Sequence, residues 1–233
     1  MPKKFAIKGT IIPTDYQKIY DWLGFEGTSP GKLAAFLDEA GGEDILLEIN
    51  SPGGYVFAGM EIYNRLKMYS GMVTAVVMSI AASAASVIIC AADTVQMCPV
   101  SQLMIHRAHS WAEGDKNQIY KTAEDLEKLD DAIANAYTEK TGMGKDEVLK
   151  MMDVTTWLNP EEAKEKNFVD EILFQQEEQP AAAADGAIML TAAQVAKLTA
   201  KMNAEITANE QRNAAALDLL LQKHNYLILK GGN

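Results

Sequence analysis

A serine within Ser79 to Ser86 and His106 are the side chains of this sequence whose types and surroundings fit nucleophilic catalysis. The stretch, S-I-A-A-S-A-A-S, follows the apolar run Met72 to Met78 and opens into the small and apolar residues Ala84 to Ala92. Where a buried strand turns into a buried helix, the first helical amides are unpaired and can hold a developing oxyanion. His106 ends a second apolar run, Leu103-Met104-Ile105, a place from which an imidazole can act as general base. Upstream, Asn50-Ser51-Pro52-Gly53-Gly54 closes another strand-like run. Paired glycines admit positive φ and let amide N–H groups approach an anion. Each feature alone has an ordinary explanation: close helix packing for the Ala/Ser run, a tight turn for Pro-Gly-Gly, a satisfied strand-end imidazole for His106. In this order they are the parts of an acyl-transfer site: oxyanion donors, nucleophile and base.

Such a site needs strands that end side by side and helices that cover them. Phe5 to Ile12, Asp44 to Asn50 and Met72 to Met78 read as strands, with short strands at Thr94 to Met97 and Gln102 to His106 on either side of Pro99. Ser29-Pro30 starts a helix that Gly41-Gly42 stops, and a second helix runs from about Val56 to Tyr69. The spacing predicts a long polar helix over Asp115 to Thr141 with Ile119, Leu126, Leu129, Ile133 and Tyr137 along one stripe. A short helix at Lys145 to Met152, another after Asn159-Pro160, and a strand at Val169 to Phe174 complete the pattern. Strands alternating with crossover helices predict an α/β domain with largely parallel pairing. The domain is placed at residues 1–174, followed by a polar, Ala-rich linker at 175–187 and an amphipathic helical tail at 188–233. In the tail, Val195, Leu198, Met202 and Ile206 recur at three- and four-residue steps, as in a partner helix or a helix folded back on the domain.

Bulk properties narrow the function classes. The chain has 233 residues, 48% hydrophobic and 23% charged, ordinary for a globular protein. A net charge of −11 argues against nucleic acid as a partner. No window approaches the roughly 18 consecutive apolar residues of a membrane span, and the start, M-P-K-K-F-A-I-K-G, lacks the apolar core of a secretion signal. Cys90 and Cys98 have no C-x-x-C spacing and read as reduced core thiols of a cytoplasmic protein. The histidines and cysteines show no metal-ligand spacing.

The series N-S-P-G-G, A-G-M-x-I-Y (Ala58 to Tyr63), A-A-S and M-I-H resembles that of the caseinolytic (Clp) protease proteolytic subunit, in order, from about Phe5 to Leu173. The S-I-A-A-S-A-A-S form and T-W-L-x-x-E-E-A near Trp157 look closest to the phage and prophage branch, the head maturation or prohead proteases. The resemblance implies a Clp protease/crotonase-like ββα spiral fold with a C-terminal helical extension. It also implies a self-compartmentalising homo-oligomeric ring, a heptamer or double ring, that takes protein or peptide substrates and needs no cofactor. By position, Ser83 matches the nucleophile and His106 the base, with Gly54 and Ala84 as oxyanion donors. Ser86 and His109 fall off these positions. The third triad position, acidic in the family, is Thr155 here, and Asp153 stands two residues earlier as a substitute. The expected activity is a serine endopeptidase acting on capsid or scaffold proteins. The alternatives are a cellular Clp subunit fed by an ATP-dependent unfoldase, an acyl-CoA-processing crotonase, and an inactive ring or scaffold protein. A first strand reached within about five residues and the helical tail are expected to set the chain apart from subunits that routinely serve an unfoldase.

Overall fold

The computed structural model describes residues 2–174. Within them the chain runs β1 (Lys3–Ile11), α1 (Gln17–Leu23), β2 (Gly27–Thr28), α2 (Pro30–Ala40), β3 (Ile45–Gly54), α3 (Val56–Lys67), β4 (Val73–Ala82), α4 (Ala84–Ile89), β5 (Thr94–Met97) and β6 (Gln102–Ile105). It continues through α5 (Lys116–Thr141), α6 (Lys145–Asp153), β7 (Thr156–Leu158), α7 (Pro160–Glu165) and β8 (Glu171–Ile172). The expected linker and helical tail lie outside the described residues.

The strands form one sheet in the order β2-β1-β3-β4-β5-β8, parallel throughout, with β6 on β4 and β7 antiparallel to β6. The parallel α/β expectation holds, because apolar runs such as Ile45-Leu46-Leu47 and Val73 to Val77 are covered by helices. Ile7, Leu47, Ile49, Val77, Ile88 and Ile105 are fully buried. Each such side chain contributes about 1.5–3 kcal/mol of transfer free energy.

Strand β4 sets up the site by changing neighbours. Its first half pairs with β5 (Thr74↔Thr94 to Val77↔Met97), and its second half pairs with β6 (Ile80↔Gln102 to Ala82↔Met104). The Cys98–Ser101 turn between β5 and β6, closed by a bond from Ser101 Oγ to Cys98 O, makes the switch. The end of β4 therefore lies against the end of β6, and β3 ends beside both.

The helices follow their caps. Ser29 accepts from the Lys32 amide at the start of α2. Asp115 and Gln118 form a reciprocal capping box at the start of α5. Only the C-terminal half of the α5 stripe is core: Ile133 and Tyr137 are buried, whereas Ile119 is 48% exposed. Three elements escaped the sequence reading. Helix α1 buries no residue and so shows no amphipathic pattern, and β2 and β7 are too short to show alternation. The last strand, expected over Val169 to Phe174, is only Glu171–Ile172, where β5 offers a paired edge.

Candidate active site

Ser83 caps α4 in a conformation that L-residues rarely adopt, φ 55° and ψ −125°. That turn lifts the side chain out of the β4–α4 line, and the Ser83 amide is tied to Met104 O of β6 at 2.9 Å. From the same strand, His106 Nε2 lies 2.7 Å from Ser83 Oγ. Serine and imidazole thus meet because β4 and β6 end in register.

The glycine pair closes the other side. Gly53 has φ +94°, and a Cβ there would lie 2.6 Å from Ser83 Cβ and 2.9 Å from Ala84 N. Only glycine fits that approach. Gly54 has φ +155°, and a Cβ would strike Ile11. The turn is fastened by Ser51, whose hydroxyl donates to Gly9 O at 2.6 Å and accepts from the Gly53 amide at 3.1 Å. Gly54 is paired with Ile11, and the Tyr55 amide makes the ladder bond to Ile11 O. In a parallel ladder this turns the Gly54 amide away from β1, toward the side on which Ser83 lies. Ala84 is the first residue of α4, so its amide has no acceptor within the helix. These are the two positions that the resemblance implies for oxyanion donors, and Gly54 lines the same cavity as Ser83.

Around the imidazole, the structure separates the candidate third members. The pairing Ile105↔Thr156 carries Thr155 alongside His106. Thr155 sits at φ 53°, strained for a β-branched residue. Among the described residues, however, neither Thr155 nor Asp153 hydrogen-bonds to His106. Asp153 accepts from Arg107 Nε at 2.7 Å, and this bond holds its carboxyl below the usual carboxylate range. Burial, followed by the neighbouring His109, holds the His106 pKa below its ordinary value, while Asp130 pulls in the opposite direction. The two imidazole rings meet edge to face at 4.5 Å.

Asp130 was missed by sequence reasoning. It is a buried carboxylate on α5 whose Oδ1 accepts from the Ala108 amide at 2.7 Å and whose Oδ2 meets Arg107 Nη1 at 3.3 Å. A signal existed: Ile133, Ala134 and Tyr137 follow it by three, four and seven residues, which puts a charge on the buried face.

The residues set aside by alignment have other places. Ser86 is fully buried, donates to Ser83 O at 2.6 Å and shares a 2.7 Å hydrogen bond with Tyr137 Oη. It braces the turn and does not face the cavity. His109 is exposed and lines the opening. Cys90 is a buried free thiol, pushed up to about 12 by burial, and Cys98 is likewise free and buried. Among the described residues no three His, Cys, Asp or Glu side chains are grouped as metal ligands, and no helix is long and apolar enough to cross a membrane.

Ser83, His106 and Gly54 line a cavity of about 230 Å³ with an apolar floor of Val56, Val87 and Ile133. It adjoins an open groove of about 510 Å³ between the β3–α3 turn and α5, lined by Tyr55, Phe57, Leu126 and Leu129. A hydroxyl on an imidazole, set at a strained strand–helix turn beside free amides and an open groove, is the geometry of a Ser–His hydrolase.

Comparison with known proteins agrees with that class. The Clp protease family model matches residues 31–176. An ATP-dependent Clp protease proteolytic subunit of Bacteroides fragilis is 34% identical over 137 residues, 58% of this chain and 66% of that protein. An ATP-dependent Clp protease proteolytic subunit 1 of Chlamydia abortus is 36% identical over 137 residues, 57% of this chain and 71% of that protein. The Deinococcus radiodurans proteolytic subunit is 28% identical over 138 residues, 58% of this chain and 68% of that protein. The chain belongs to the Clp protease family. It spans slightly less than two thirds of the Bacteroides fragilis relatives it matches, 66% and 62%.

Proposed function

We propose that this chain is a serine endopeptidase, the proteolytic subunit of a Clp-type protease. The observation that carries the reading is the 2.7 Å contact between His106 Nε2 and Ser83 Oγ at the mouth of the cavity. Ser83 Oγ attacks the carbonyl carbon of a peptide bond while neutral His106 takes its proton at Nε2. The Gly54 and Ala84 amides receive the charge that develops on the carbonyl oxygen. His106 then returns the proton to the departing amine as the C–N bond breaks. A water, deprotonated by the same nitrogen, then attacks the acyl-serine; the ester bond breaks, His106 returns the proton to Ser83 Oγ, and the acid product leaves. The groove beside the cavity suits an extended segment with apolar side chains, since Tyr55, Phe57, Leu126 and Leu129 face it. The substrates are therefore unfolded protein segments or peptides.

The relatives bear names that couple them to ATP, which favours work within a homo-oligomeric ring supplied by an unfoldase. The narrower assignment to prophage head maturation, acting on capsid or scaffold proteins, rests on S-I-A-A-S-A-A-S and T-W-L-x-x-E-E-A alone and is the weaker of the two. Hydrolysis of a fluorogenic peptide by wild type, and its loss by 10³-fold or more in Ser83→Ala and His106→Ala, tests the peptidase reading. Equal turnover in wild type and Ser83→Ala would reject it. Faster degradation of an unfolded protein when a Clp unfoldase and ATP are added tests the setting. Unaided cleavage of a capsid or scaffold protein would instead select head maturation.

A further inference from the structure

We propose that Asp130 is the positioning carboxylate of this site: through the Ala108 amide and Arg107 it fixes the segment carrying His106 and sets a net negative charge behind the imidazole, the part Thr155 cannot play. The inference rests on the acyl-transfer reading above and deepens it.

A carboxylate that is only 5% exposed is costly unless its oxygens are satisfied. Both are, and both partners come from the two residues that follow His106. Oδ1 takes the Ala108 amide at 2.7 Å and Oδ2 faces Arg107 Nη1 at 3.3 Å. Helix α5 is thereby pinned to the chain just beyond the base. The charges also add up usefully. Arg107 is shared by Asp130 and by Asp153, whose side chain is 54% exposed, so the three groups together carry one negative charge. Without Asp130, the guanidinium would stand beside His106 opposed only by a carboxylate that water screens. The imidazolium formed when Ser83 gives up its proton would then be disfavoured. The other groups that face His106 are His109 at its edge, Ser83 at Nε2 and Tyr137 across the cavity; none of them supplies negative charge at neutral pH. Asp130 alone opposes the burial and the His109 neighbour that hold the His106 pKa down.

A clamp that only held the loop would slow the enzyme without moving its pH profile. The experiment is kcat/KM against pH on a fluorogenic peptide for wild type, Asp130→Asn, Arg107→Gln and the double variant Asp130→Asn/Thr155→Asp. We expect Asp130→Asn to lose about 10–100-fold at the plateau, with its acid limb moved to lower pH. Arg107→Gln, which leaves the carboxylates unopposed, moves the limb to higher pH. The double variant, which puts a carboxylate beside His106, regains at least tenfold over Asp130→Asn, and the positive φ at Thr155 suits aspartate better than threonine. Unchanged turnover in Asp130→Asn, an acid limb that stays in place, or no recovery in the double variant overturns the proposal. Should Asp130→Asn fail to fold, the direction of the Arg107→Gln shift decides. Absence of turnover in wild type itself would instead fell the peptidase reading.

Discussion

Ser83 and His106 suit the proposed chemistry because neither side chain is in an ordinary place. The serine is held at φ 55° by the hydrogen bond its backbone N–H donates to Met104 O, and the Ser86 hydroxyl donates to the Ser83 carbonyl. Replacing Ser86 by alanine removes that bond and leaves the buried Tyr137 hydroxyl short of a partner. It is expected to cost about 1–3 kcal/mol in denaturant unfolding while Ser83 still reacts. If Ser86→Ala abolished reactivity without loss of stability, the bracing role would be wrong. His106 gives a second expectation. A general base works when neutral, and its pKa is held below the ordinary imidazole value, chiefly by burial. Activity should therefore rise with pH through a midpoint below about 6.5 and level off above it. A midpoint well above 7 would contradict this. The turn and strand-end positions of these two residues were legible from local marks, and the resemblance singled out Ser83 among the serines of its stretch. Asp130 left a fainter mark, its spacing to Ile133 and Tyr137, and its burial depends on which half of the α5 stripe meets the β6 exit.

At the scale of elements, the site exists because three strands end together: β3 brings the glycine pair, β4 the serine and β6 the histidine. Gly53 is the contact point between the first two, with open space for a hydrogen only. Gly53→Ala is expected to cost about 1–3 kcal/mol from backbone strain alone and to displace Ser83. Folded protein with diminished labelling of Ser83 is the expected outcome, and full labelling at full stability would show that the turn is not so constrained. The main strands and helices could be read from β-branched runs, caps and glycine stops, such as Ser29-Pro30 and Gly41 around α2. The β4 switch from β5 to β6 could not. No residue of β4 marks the change; it follows from the turn at Cys98–Ser101 and from pairing between distant strands.

For the whole molecule, the Clp protease family gives the described domain a place, and the homo-oligomeric ring proposed for it would need surfaces that copies can cover. Ile119 and Tyr120, near the start of α5, are 48% and 62% exposed, and Trp111, just before it, is 78% exposed. In a ring assembly these are the surfaces to be covered. Ile119→Glu or Tyr120→Glu is expected to lower the oligomer size seen by native mass spectrometry without unfolding the subunit. An unchanged assembly would place the contact elsewhere. The central claim, that Ser83 is a nucleophile activated by His106, is tested most directly by a fluorophosphonate serine-hydrolase probe, with the modified peptide located by mass spectrometry. The account expects a single label on Ser83, absent in Ser83→Ala and at least 100-fold slower in His106→Ala. A folded wild type that takes no label, or that carries it on another serine, would contradict the account.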